Sequence, residues 1–109
     1  MAMKTADEQQ TARVADLECC HLLAPIFRAL GNPTRLGILR RTLRGPLCVG
    51  DLQEELGCSQ PNISQHLAVL RDRGVVVPER DGNRVCYRLA DSRIAQLLQL
   101  AEQIFDPSR

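Results

Sequence analysis

Two neighbouring thiols, Cys19-Cys20, are the residues in this chain best suited to holding a soft ligand. Adjacent thiolates can capture a thiophilic ion, provided a third ligand comes from elsewhere. His21 follows them directly and could contribute, or simply face water. The same thiols could instead oxidise, join as a vicinal disulfide or become persulfidated, although a bridge between neighbours strains a helix. The plain alternative is two small helical residues, one buried and one exposed. Cys48, Cys58 and Cys86 complete a set of five. In a reducing compartment such residues are more often sensors, ligands or core than structural disulfides. Cys58 reads as packing in a turn, and Cys86 as an outward residue of a strand.

A second chemistry lies in Ser59-Gln-Pro-Asn-Ile-Ser-Gln-His-Leu67. Ser59-Gln60-Pro61 is a helix-start signal and Gly74 a stop. Ile63, Leu67 and Leu70 recur at helical spacing and turn inward. At 100° per residue the opposite face carries Pro61, Asn62, Gln65 and Ala68, with Ser64 and His66 on its flanks. Asn and Gln can pair with adenine edges, and Ser with phosphate or base. Arg71 adds a cation further along the same helix. Taken alone, this is also what an ordinary surface helix looks like.

The next segment decides between the two. Val75-Val-Val-Pro-Glu-Arg80 and Arg84-Val-Cys-Tyr-Arg-Leu89 flank Asp81-Gly82-Asn83, a strong hairpin signal. Alternation predicts Val85, Tyr87 and Leu89 buried, with Cys86 and Arg88 outside. Arg80, Asn83 and Arg84 lie at the tip, where arginine suits a phosphate backbone or minor groove. A polar-faced helix followed by an arginine-tipped hairpin is the order of a winged helix-turn-helix.

The remaining elements must hold these two in place. Residues ~6 to 23 read as a helix, and Pro25 opens a new segment running to Leu30. A helix with Leu36, Ile38, Leu39 and Leu43 follows Gly31-Asn32-Pro33 and stops at Gly45-Pro46. Val49 to Leu56 is a short helix closed by Gly57, and the tight link to Ser59 has helix-turn-helix proportions. Asp91 or Ser92 caps a last helix with Ile94, Leu97, Leu98, Leu100, Ala101, Ile104 and Phe105 on its apolar stripe. The expected architecture is mainly α with a small β-hairpin: about five helices and a two-stranded wing. It divides into an N-terminal helical extension, 1–25, and a DNA-binding domain with a C-terminal dimerisation helix, 26–109.

Composition supports this reading. The chain has 109 residues and only three aromatics, one Tyr and two Phe, so its core is aliphatic, which favours helices. The net charge of +1 is unlike that of a non-specific nucleic-acid coat, but it hides segregation. Residues 28–45 hold Arg28, Arg35, Arg40, Arg41 and Arg44 without an acid, which suits phosphate attraction. Apolar residues on the first and last helices exceed what one small domain covers, which predicts a homodimer. A two-fold dimer places its reading helices about one DNA turn, ~34 Å, apart on a palindromic operator. No apolar run approaches a bilayer span and Met1 to Gln10 lacks a signal-peptide core, so no membrane association is expected and localisation reads as cytoplasmic. Neither histidine has a partner at catalytic spacing and no Gly-rich phosphate loop occurs, so no enzymatic activity is expected.

With these residues in view, the chain resembles the ArsR/SmtB family of winged-helix transcriptional repressors from about Ile26 to Leu98. The resemblance rests on Phe27-Arg-Ala-Leu-Gly-Asn-Pro-Thr-Arg-Leu-Gly-Ile-Leu39, Leu47-Cys-Val-Gly-Asp-Leu52, Ser59 to Leu67 and Gly82-Asn-Arg-Val-Cys-Tyr-Arg-Leu89. It implies a homodimer joined by first and last helices, which binds double-stranded operator DNA without a cofactor and leaves it when an inducer binds. One family sensor motif, Cys-Val-Cys-Asp-Leu, here reads Cys48-Val-Gly-Asp-Leu52, with one of its cysteines replaced. Another, on the last helix, departs further: Asp91-Ser-Arg93 lacks the histidine, and Ile104 and Pro107 stand where ligands would fall. Some relatives combine an N-terminal cysteine pair with a cysteine of the other subunit. The resemblance thereby implies Cys19 and Cys20 of one chain with Cys48, or alternatively Cys58, as a three-thiolate site for arsenite or antimonite. Redox sensing through Cys19/Cys20 is the alternative, and a protein-interaction module that touches no DNA is a further one.

Overall fold

The computed structural model describes residues 6–106 and 108, so Met1 to Thr5, Pro107 and Arg109 lie outside the described residues. The chain forms five helices, α1 (Ala6–Leu30), α2 (Pro33–Thr42), α3 (Val49–Leu56), α4 (Gln60–Asp72) and α5 (Arg93–Phe105), and three strands, β1 (Leu47–Cys48), β2 (Val76–Asp81) and β3 (Arg84–Leu89). The strands form an antiparallel sheet of order β1-β3-β2. The wing is therefore the outer part of a three-stranded sheet, not an isolated two-stranded ribbon. β1 was too short to show periodicity, and only its pairing with β3 makes it a strand.

Local signals explain the helix ends. Asn32 caps α2, its side chain accepting from the Arg35 amide at 3.1 Å, with Pro33 at the first position; proline suits that site because its missing N–H would be unpaired anyway. Ser59 caps α4, its Oγ accepting from the Asn62 amide at 3.4 Å. Gly57 ends α3 with φ 66°, a left-handed turn that glycine adopts without a Cβ penalty. At the wing tip Gly82 has φ 63° and Asn83 a negative φ, the pattern of a type II′ hairpin. Asp91 Oδ1 accepts from the Arg93 amide at 2.8 Å, so Asp91 serves the start of α5.

α1 runs unbroken through Pro25, where a fresh segment was expected. Proline there costs the bond its amide would give to His21. Ala29 and Leu30 beyond it are buried, and Arg35 grips the carbonyls of Ala29 and Arg28 at 2.6 and 3.4 Å. The last turn is thus anchored and the helix continues across the break. The expected boundary after residue 25 falls inside this one helix.

Ile38, Leu39, Leu47, Leu52, Ile63, Leu67, Leu70 and Val76 are fully buried and join α2, α3, α4 and the sheet into one core. Most of α1 stands outside it: every residue from 13 to 24 is exposed. The Cα radius of gyration is 18.1 Å, against ~13 Å for a compact domain of this length. Leu17, Leu22 and Phe27 on α1 and Leu97, Leu100, Ile104 and Phe105 on α5 are all exposed. Among the described residues no helix is long and apolar enough to cross a membrane.

Candidate nucleic-acid interface and thiol sites

α4, the helix expected to read DNA, is held from beneath by Ile63, Leu67 and Leu70, which leaves Gln60, Pro61, Asn62, Ser64 and Gln65 exposed, with Arg71 at its end. Ser59 is exposed too, with its hydroxyl oxygen engaged in capping. Ala68 is half-buried. His66 differs from the outward-flank expectation. It is half-buried, with Nδ1 3.3 Å from the Arg35 guanidinium. Arg35 can only donate, so Nδ1 serves as the acceptor in this contact.

The wing carries Arg80, Asn83 and Arg84 at its exposed tip. Arg84 is tied to Asp51 of α3 at 3.2 Å, with both side chains about half exposed. Such a pair is readily exchanged for a phosphate, since exposed ion pairs contribute little.

Within the basic segment 28–45, Arg28 and Arg44 are exposed and the other three arginines have partners. Arg40 pairs with Glu102 at 3.1 Å and Arg41 with Glu55 at 2.9 Å, while Arg35 reaches α1 and α4. A run of like charges carries no record of its partners. Arg35 is a residue that sequence reasoning missed, although one signal was available. A cation in the first turn of α2 opposes that helix's dipole, and here it lies at the favourable, carbonyl-rich end of α1.

The cysteines divide into two groups. Cys19 and Cys20 are exposed free thiols on α1, and Cys58 is a half-buried free thiol whose Sγ lies 3.5 Å from the Leu56 carbonyl. Cys48 is bonded to Cys86 across β1 and β3. As it stands, Cys48 is therefore no thiolate ligand. Cys86 lies on the face opposite Tyr87 and Leu89, as alternation predicts, yet it is 5% exposed because β1 and Cys48 cover it. Val85, expected inside, is 42% exposed, since the hairpin extends beyond the core at that point. Among the described residues one chain brings no three His, Cys, Asp or Glu side chains together as a metal site. At the start of α5, the guanidinium of Arg93 hydrogen-bonds Asp91 and lowers its carboxyl to about 2.

Comparison with known proteins agrees with this geometry. Residues 32–77 match the family model described as "Bacterial regulatory protein, arsR family". The chain is 40% identical over 101 residues to the "Probable mercury resistance operon repressor" of Streptomyces lividans, covering 91% of this chain and 81% of that protein. It is 42% identical to the HTH-type transcriptional regulator NmtR of Mycobacterium tuberculosis, over 79% of this chain and 72% of that one. In structure it is similar to the homodimeric winged helix-turn-helix DNA-binding domain Mb0332 of Mycobacterium bovis, with a TM-score of 0.74 and 28% identity, covering 97% of this chain and 91% of that chain.

Proposed function

This chain belongs to the arsR family of bacterial regulatory proteins, a class of DNA-binding repressors and not of enzymes, and from that premise we propose a homodimeric repressor released from a palindromic operator by a thiophilic metal or metalloid ion. Gln60, Pro61, Asn62, Ser64 and Gln65 face the major groove. Arg71, Arg80, Asn83 and Arg84 contact backbone phosphates, and Ser59 and His66 flank the reading surface. The unpartnered apolar residues of α1 and α5 form the dimer interface, and α1 carries the sensor.

The observation that carries the sensor reading is the exposure of two adjacent free thiols, Cys19 and Cys20, on α1. The last turn of that helix is linked by Arg35 to His66 of the reading helix. Two thiolates fit a soft ion and need a third. Cys48 of the partner supplies it once its bond to Cys86 is reduced, and Cys58 is the other available thiol. Arsenite and antimonite match three thiolates, and the mercury-resistance repressor of Streptomyces lividans adds Hg(II) to the series. The ion must favour the DNA-incompetent arrangement, with a coupling of ~1–3 kcal/mol.

The test is an operator titration on promoter DNA upstream of the protein's own gene, with arsenite, antimonite and Hg(II) added in turn. Release should occur with the wild-type chain and disappear in Cys19→Ser and Cys20→Ser. Release that persists in both variants sinks the sensor reading. Exposed neighbouring thiols are equally open to oxidants, which supports redox sensing at Cys19/Cys20 as a second reading. Intact mass separates the two, because a metal adduct and an oxidation product differ in mass.

A further inference from the structure

Much of the connection between the wing and the start of α3 passes through β1, an edge strand of two residues. Its ladder sets Leu47 opposite Tyr87 and Cys48 opposite Cys86. Directly paired residues project to the same face, so the two sulfurs meet on the side away from Leu47 and Tyr87, where they are joined. The pair is buried but stands outside the main apolar cluster. Cys48 also holds a second position. It is the N-cap of α3, and its side chain makes no capping hydrogen bond. One covalent bond therefore ties the central strand of the wing to the residue that starts α3. Only Gly57, Cys58 and Ser59 separate α3 from the reading helix. An ion pair across the same junction, Arg84 to Asp51, is exposed and weak by nature.

We propose that Cys48 and Cys86 are a thiol–disulfide couple, a modification site for hydroperoxides and small dithiols, whose oxidised state holds the wing in register with the reading helix and raises operator affinity. Cys48 is the attacking sulfur, because the unpaired amides at the start of α3 favour a thiolate there. It attacks a hydroperoxide ROOH, forming Cys48–SOH and releasing ROH. The Cys86 thiol then attacks that sulfur, the S–S bond forms and water leaves. Two electrons and two protons pass from the thiols to the O–O bond. A small dithiol reverses the step, becoming a disulfide itself and returning two protons and two electrons. Access comes through local opening of the two-residue edge strand, which costs far less than global unfolding.

The inference rests on the operator binding proposed above, and it touches the metal reading only where reduced Cys48, and not Cys58, is the third thiolate. Operator titrations compare protein treated with cumene hydroperoxide and protein treated with dithiothreitol. The oxidised form should bind about fivefold tighter or more. The Cys48→Ser/Cys86→Ser variant should keep the reduced affinity under both reagents, while Cys19→Ser/Cys20→Ser/Cys58→Ser should retain the full response. Two serines could destabilise the sheet, so Cys48→Ala/Cys86→Val is run in parallel with melting curves. Peptide mapping of the peroxide-treated chain after thiol blocking should find Cys48 joined to Cys86. Separately blocked Cys48 and Cys86, equal affinities in the two states, or a response surviving in the paired variants each overturn the proposal. Absence of specific binding in both states overturns the operator reading and the affinity claim together, and the mapping then decides the bond alone.

Discussion

The Arg35 guanidinium lies 3.3 Å from Nδ1 of His66 and also donates to the carbonyl of Ala29 at 2.6 Å, so one side chain bridges the end of α1 and the reading helix. Arg35→Ala leaves the part-buried Ala29 carbonyl and Nδ1 of His66 without that donor. Hydrogen bonds to charged groups contribute ~1.5–3 kcal/mol each, so a stability loss of about that size is expected in denaturant titration. Operator affinity should fall with it, and Arg35→Lys should recover only part, because an ammonium cannot fork to both helices. Unchanged stability and affinity in Arg35→Ala would show that the bridge carries nothing.

Gln65 and Arg84 should fail in different ways. Gln65 is exposed on the reading face, and Gln65→Ala should relax base preference by ~1–3 kcal/mol at one position. Arg84→Ala should weaken all sequences alike and reduce the salt slope by ~1. Binding to a panel of single-base operator variants at several salt concentrations checks both, and interchanged outcomes would reverse the two assignments.

Leu22 and Phe105 are 73% and 78% exposed and lie among other exposed apolar residues of α1 and α5. If α1 and α5 form the dimer interface, Leu22→Glu/Phe105→Glu should sediment as a monomer and lose most operator affinity. The helix content by circular dichroism should barely change, because neither side chain belongs to the core. A variant that remains dimeric would move the interface elsewhere.

Asp91 is held at about 2, chiefly by the Arg93 side-chain hydrogen bond, against an ordinary value of 3.8. A carboxyl depressed on folding stabilises the fold above its unfolded value and loses that contribution as pH falls through its folded one. The effect is therefore confined to the interval from about 4 down to about 2, and neutral-pH stability does not depend on pH through this group. A carbon-detected NMR titration should place Asp91 near 2 in the wild type and close to the ordinary value in Arg93→Ala. Coincident titrations in the two proteins would remove Arg93 as the cause.

The reading helix was legible because its signals are local. Ser59 before Pro61, Ile63, Leu67 and Leu70 at helical spacing, and Gly57 and Gly74 at positive φ lie within one stretch of chain, and each constrains its own neighbourhood. The Asp81-Gly82-Asn83 turn was legible for the same reason. α1 misled because proline's local preference for breaking a helix was outweighed by packing of Ala29 and Leu30 and by a cation from the next helix.

By itself, then, the sequence determined the order of elements, the apolar stripe under the reading helix and the resemblance that points to a repressor. Tertiary structure alone decided that Arg35 meets His66, 31 residues away, that Arg41 meets Glu55, and that Cys48 meets Cys86 across 38 residues. Helix caps and hydrophobic periods follow from a residue's near neighbours. The partner of a long cation or a thiol depends instead on which elements the folded core brings side by side, and here that core makes a third strand of Leu47 and Cys48.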